Sequence, residues 1–236
     1  MNYLLMPLDQ QFDLGFGLVA DSFKHAGDAV MSPQSESPNL NPHLPASFLY
    51  RHAIELFLKS GIIIFHRKFQ LPYGKEPFDA EPRVLVRGKW KAMYTVHGLQ
   101  DLYSYFRDLV ASQASYLSEH TRTDWRFPPE LDKWIAEIEA TDSTSTFFRY
   151  PVTKHRNEDS NKSINKESNF ENILAGIGEG AKPLKAFLLL NHNDEVVKAF
   201  HYDAELAKSM TTTLRSAVDQ LYGCHAAMRF ELTGGW

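Results

Sequence analysis

The stretch from Ala46 to Lys68, ASFLYRHAIELFLKSGIIIFHRK, constrains this chain more than any other. Phe48, Leu49, Ala53, Ile54, Leu56, Phe57 and Ile64 spread over a wide part of a helical circumference, so the helix they form is predicted to be central rather than peripheral. Arg51, Glu55 and Lys59 follow one another at i, i+4 and i+8 on one stripe of the same helix. That is the spacing of an ion-pair ladder on a helix surface.

Further helices are expected around it. Leu14, Phe16, Leu18, Val19, Phe23 and Ala26 recur at helical spacing between Asp13 and Met31, and Ser32-Pro33 ends the pattern before a connector rich in Ser, Pro and Asn. A third helix is expected from about His97 to Ser118 through Leu99, Leu102, Tyr103, Phe106, Leu109 and Val110. Pro128-Pro129 opens a fourth, Glu130 to about Thr141, where proline is tolerated, and Asp203 caps a last one that runs to about Phe230. Val84-Leu85-Val86 is a short β-like run, while Phe187–Leu190 and Val196–His201 flank the turn-forming Asn191-His192-Asn193-Asp194 as a hairpin. Residues 141–168 hold an aromatic island, Phe147-Phe148-Arg149-Tyr150, and a polar tail expected to be a mobile loop. The fold class is therefore mainly α, a helical bundle with long loops and one small β-hairpin, without internal repeats.

Composition removes several function classes. The 236 residues carry a net charge of -4, so no global positive field favours nucleic acid and any such contact needs a local patch. Cys224 is the only cysteine, which excludes a disulfide framework and a cysteine-based zinc cluster within one chain. No apolar run reaches the ~18 residues of a membrane span, and MNYLLMPLDQQFD lacks the basic start of a signal peptide, so a soluble cytoplasmic protein is expected. The glycines at 176, 178 and 180 follow no strand and lack the Lys-Ser/Thr end of a phosphate loop. The ten histidines form no paired metal motif, no nucleophile elbow is present, and Cys224 fits the apolar pattern of the last helix as a small hydrophobe. No metal and no cofactor is expected.

The run Arg51-His52-Ala53-Ile54-Glu55-Leu56-Phe57-Leu58-Lys59, followed by Val96-His97-Gly98-Leu99 and then by Ser145-Thr146-Phe147-Phe148-Arg149-Tyr150-Pro151, resembles the HEPN superfamily. These are all-helical, nucleotide- or RNA-associated domains of prokaryotic toxin and defence systems. The likeness covers residues 44 to about 230, which divides the chain into an N-terminal helix and connector, 1–43, and a HEPN-like helical domain, 44–236. It implies a metal-independent endoribonuclease of a toxin-antitoxin or anti-phage system, working as a homodimer on RNA or a nucleotide, with a protein partner or antitoxin and no membrane. The ribonucleases of that family carry an arginine followed after a short spacer by a histidine, matched here by Arg149 and His155 with five residues between them. Tyr150-Pro151 directly after the arginine departs from the family pattern, because it interrupts any helix there.

The chemistry of that pair is intelligible by itself. RNA cleavage without a metal needs a group that removes the 2′-hydroxyl proton or protonates the leaving oxygen, and histidine has a suitable pKa. It also needs a fixed cation where negative charge develops on the phosphate, which a guanidinium supplies. Arg51, His52, Glu55, Lys59, His97, Lys154 and Arg156 are the candidate substrate-binding residues, and Lys162 and Lys166 add local charge. Structural roles stand beside these. Arg149 could be an ion-pair residue for Glu55 or Asp142 with its stem on the aromatics, His155 a solvated loop residue, and the Arg51 ladder a surface feature. His52 and His97 either line the cleft or bond to backbone carbonyls. The alternative function is a non-catalytic HEPN-like module that binds a nucleotide, RNA or protein partner. A third reading, a structural subunit, would leave the apolar residues of the Leu14 to Ala26 helix exposed.

Overall fold

The computed structural model describes residues 5–32, 42–150, 152–153, 159, 162, 165–175, 186–202 and 204–235. Among them the α-helices are α1 (Phe16–Met31), α2 (His43–Lys68), α3 (Leu99–Ser112), α4 (Ala114–His120), α5 (Pro129–Asp142), α6 (Phe170–Ala175) and α7 (Ala204–Glu231). The strands are β1 (Arg83–Val86), β2 (Lys89–Ala92), β3 (Asn165–Ser168), β4 (Ala186–Leu190) and β5 (Val196–Tyr202).

α2 is buried along most of its length because apolar side chains occupy nearly every direction around it, among them Ile54, Phe57, Leu58, Ile62, Ile63, Ile64 and Phe65. α1, α3 and α7 pack directly on it, and α5 packs on α3 and α7 with Leu131, Ile135 and Ile138 fully buried. Two glycines let α1 and α3 approach α2 closely. A β-carbon on Gly27 of α1 would lie 2.6 Å from the Tyr50 ring, and one on Gly61 of α2 would lie 2.7 Å from the Phe106 ring of α3. Tyr50 also donates from its hydroxyl to Asp28 Oδ1 at 2.8 Å, which ties α2 to α1.

The N-terminal helix begins later than the periodicity suggests because Asp13 is spent on capping it. Asp13 Oδ1 and Oδ2 accept the backbone N–H groups of Gly15 and Gly17 at 3.1 and 2.8 Å, satisfying donors that the first turn would otherwise leave bare. Leu14, Phe16, Val19 and Phe23 pack on the core, so α1 belongs to the same interior as the bundle. The exposed apolar stripe that a purely structural subunit would show on this helix is absent among those residues.

Other elements differ from expectation for local reasons. The third helix is broken at Gln113, whose N–H turns back to Val110 and Ala111 O and leaves α4 as a separate piece. Arg83–Val86 pairs with Lys89–Ala92 across a two-residue turn, Arg87-Gly88, with φ of 50° and 76°, the left-handed pair a tight hairpin requires. The expected hairpin forms as β4 and β5, but β3 pairs with the far side of β5 in the order β3-β5-β4, all antiparallel. Residues 165–168 are thus a strand and not loop, and α6, also unforeseen, packs against β5. The glycines at 176, 178 and 180 lie outside the described residues.

Candidate functional site

The ladder on α2 is inside the protein. Arg51, Glu55 and Lys59 are 1%, 2% and 3% exposed, which corrects the surface reading of their spacing and withdraws all three from direct contact with a substrate. Arg51 Nη1 and Lys59 Nζ donate to Glu55 Oε2 and Oε1, each at 2.8 Å. Arg51 Nη2 donates to the His97 carbonyl at 2.7 Å, and its Nε lies 3.2 Å from Asp142 Oδ2 at the end of α5. Two buried cations therefore face two buried carboxylates. Burial pushes the Glu55 pKa up, but Lys59, Arg51 and a hydrogen bond from His97 outweigh it and hold the carboxyl below its usual range.

His97 connects this network to solvent. Its Nδ1 is 3.0 Å from Glu55 Oε1, so the proton sits on Nδ1 and the ring donates to the carboxylate, while half of the side chain remains exposed. It follows Val96 and precedes α3, whose first N–H groups, Leu99 and Gln100, are accepted by Glu139 Oε2 of α5 at 2.8 and 3.4 Å. Burial raises the Glu139 pKa more than these two hydrogen bonds lower it.

Asp142 also fixes the segment that follows α5. Its Oδ1 accepts the N–H groups of Thr146 and Phe147 at 2.7 and 3.0 Å, and Arg149 N and Tyr150 N then donate to Thr146 O. Arg149 is carried outward by this turn. Its guanidinium is exposed and lies 5.7 Å from the Phe48 ring centroid, and no carboxylate pairs with it among the described residues. The expected alternative, Arg149 paired with Glu55 or Asp142, is overturned: Arg51 occupies both carboxylates. Next to Phe48 on α2, His52 stacks nearly parallel to that ring at 6.0 Å and meets Phe23 of α1 edge-on at 4.5 Å. Burial lowers the His52 pKa, and Glu55 only partly restores it while Arg149 lowers it further. Its Nδ1 is buried with no hydrogen-bond partner among the described residues, so the alternative of a backbone-carbonyl bond is not met at that atom.

The remaining site expectations separate. His155, Lys154 and Arg156 lie outside the described residues. Lys162 does not add to a basic face: it is buried, donating to the Tyr150 carbonyl at 2.8 Å, pairing with Asp159 at 2.6 Å, and resting 4.5 Å from the Phe147 ring centroid. It anchors the backbone next to Arg149. Cys224 is half-buried, and burial pushes its thiol up to about 12, far from a nucleophile's range.

A second buried polar cluster escaped the sequence reading. Asp13, besides capping α1, accepts the Ser60 hydroxyl of α2 at 2.5 Å and faces His225 Nε2 at 3.4 Å and Arg229 Nη1 at 3.5 Å from α7. The only signal in the sequence was a histidine and an arginine four residues apart within the apolar pattern of the last helix. A cavity of about 650 Å³ lies between α3, α4 and the 123–127 loop, with Val110, Leu117, Trp125 and Phe127 in its wall, and it contains none of the expected site residues. Its two arginines, Arg107 and Arg126, are neutralised by Asp132 and Asp124 at 2.6 Å each. Among the described residues no three His, Cys, Asp or Glu side chains converge to hold a metal, and no helix is long and apolar enough to cross a membrane. Compared with family models, curated proteins and solved structures, the chain matches none of them.

Proposed function

We propose that this chain is a metal-independent endoribonuclease of a toxin-antitoxin or anti-phage system, the activity its HEPN resemblance implies, and that Arg149 is its phosphate-binding cation. The observation that carries the reading is the contrast between two arginines. Arg51 is buried and neutralised by Glu55 and Asp142, whereas Arg149 stands exposed with no carboxylate among the described residues, on a turn held by Asp142 and Lys162. A guanidinium so placed is free to bind an anion, and the turn that carries it is held at the backbone. In the reaction, a histidine removes the 2′-hydroxyl proton, the 2′ oxygen attacks phosphorus, and the 5′ oxygen leaves with a proton, giving a cyclic phosphate and a free hydroxyl. His155 takes the acid or base role by the motif. His52, whose pKa burial lowers, stacks on Phe48 next to Arg149 and is a second candidate histidine for the step.

The test is RNA cleavage in EDTA by Arg149→Ala and His155→Ala, with cyclic-phosphate ends as the readout. Each substitution is expected to lower the rate by about 10²–10⁴-fold. Unchanged cleavage in both variants excludes these roles.

The burial of Arg51, Glu55 and Lys59 favours a second reading, a non-catalytic module, because three positions that the resemblance would give to substrate are inside the core. In that case RNA or a nucleotide binds through Arg149 without being cut, and a protein partner co-purifies. Retained binding with no cleavage by the unaltered chain distinguishes this from the nuclease.

A further inference from the structure

Several histidines lie within ion-pair distance of a carboxylate, and they differ in which of the two groups meets water. His25 and His120 face carboxylates that solvent reaches, whereas His225 and Asp13 are both buried. Among the described residues His97 alone combines a sealed carboxylate, Glu55, with an imidazole that is half open. That division matters chemically. A carboxylate shielded from water holds the Nδ1–H without competition, so the ring keeps one tautomer and one orientation, and the far nitrogen, Nε2, presents a lone pair. No described residue bonds to that nitrogen.

The main chain supplies a second anchor. The His97 carbonyl accepts Arg51 Nη2 at 2.7 Å, so residue 97 is fixed to α2 through its backbone as well as its ring. From that carbonyl Arg51 reaches across to Asp142, whose other oxygen holds the turn that carries Arg149. The open imidazole and the exposed Arg149 are therefore hung from two sides of one buried guanidinium.

We propose that His97 is the general base of the endoribonuclease reading, on which this inference rests, with Glu55 as its positioning residue. Nε2 takes the 2′-hydroxyl proton as the 2′ oxygen bonds to phosphorus, the bond from phosphorus to the 5′ oxygen breaks, and that oxygen receives its proton from His155, which gives the motif histidine the acid step. The imidazolium that forms keeps its Nδ1–H on Glu55. Arg51 and Lys59 balance Glu55 and Asp142, so the buried network holds no net positive charge to oppose it. His52 lacks such an arrangement, since its buried Nδ1 has no partner among the described residues to orient the ring.

The full chain is assayed in EDTA on RNA and on the same RNA with sulfur in place of the bridging 5′ oxygen, a leaving group that needs no acid. His97→Asn is the informative variant, because the asparagine amide reaches the place of Nδ1 and still donates to Glu55, while nothing remains at Nε2. It is expected to lower kcat by about 10²–10⁴-fold on both substrates, with KM little changed and the circular dichroism of the unaltered chain. His155→Ala is expected to be slow on RNA and to recover on the sulfur substrate. In His97→Ala, imidazole added to the assay is expected to restore part of the rate, which a merely structural histidine would not give. Nitrogen NMR of the unaltered chain is expected to find the neutral His97 ring protonated at Nδ1, the tautomer Glu55 sets. Cleavage by His97→Asn at full rate, its recovery on the sulfur substrate, a His155→Ala that stays slow there, no rescue by imidazole, or a proton on Nε2 would each overturn the proposal and leave the nuclease reading standing. An unaltered chain that cuts no RNA would overturn both.

Discussion

Glu55 has both oxygens committed inside the core, Oε2 to Arg51 and Oε1 to Lys59 and His97. Glu55→Ala leaves Lys59 buried without a carboxylate among the described residues and Arg51 with Asp142 alone, and is expected to cost about 3–5 kcal/mol in urea denaturation. Asp124→Ala, which breaks the fully exposed pair with Arg126, is expected to leave the midpoint unchanged. The i, i+4, i+8 spacing of Arg51, Glu55 and Lys59 was legible, but spacing alone does not say which side of a helix meets water. The neighbours did carry that information. Leu56, Phe57, Leu58 and the apolar run Ile62–Phe65 fill the circumference and leave no face on which a ladder could be solvated. Arg149 is the converse. Its aromatic neighbours suggested a buried ion pair, yet the nearer arginine in space, Arg51, had already taken the carboxylates.

At the level of elements, close helix contacts set what a position tolerates more strongly than helix propensity does. Gly17 in the first turn of α1 faces His225 of α7, and an added β-carbon would lie 2.0 Å from its Nε2 and 2.6 Å from Asp13 Oδ2. Gly17→Ala is therefore expected to lower stability by about 1–3 kcal/mol even though alanine is the better helix former. Gly223, near the middle of α7, has nothing within 4 Å of the same atom, so Gly223→Ala is expected to raise stability by up to about 1 kcal/mol. Paired thermal melts of the two variants check both signs. The same distinction explains which elements the sequence showed. α2, α5 and α7 have apolar periodicity long enough to survive tertiary context, and their observed ends fall within a few residues of the pattern. β3 does not: Asn165-Lys-Glu-Ser168 has no alternation, and it is a strand because β5 offers it an edge.

The molecule as a whole responds to acid in one main direction. Burial holds His43, His52 and His66 below 6.5; His66 also lies between the Leu71 carbonyl and the Tyr105 hydroxyl, at 2.7 and 2.8 Å, and stacks on Tyr73. A depressed folded-state pKa means that below 6.5 the unfolded chain takes up protons the folded chain refuses, so this contribution is present above that pH and is lost as pH falls. Asp13, Asp28 and Glu55 are also held low despite burial, by their cationic and hydrogen-bonding partners, and their contribution is lost at lower pH as they protonate. Glu139, raised by burial, acts in the opposite sense above its ordinary value of 4.5 and is outnumbered. The urea midpoint is expected to fall from about pH 7.5 to about pH 5.5 and again toward about pH 4, and His66→Phe is expected to flatten the upper part of the slope. A profile that is level between the first two values contradicts this account.

Asp142 has one oxygen turned to the interior, on Arg51, and the other turned outward, on the turn that presents Arg149. Completion of the interior and alignment of that exposed cation are thus a single event. If Arg149 is the anion-binding cation proposed above, a nascent or partly opened chain would not present it in place until its last charges were sealed away, and random substitutions that silence it would be found deep inside at least as often as on its face.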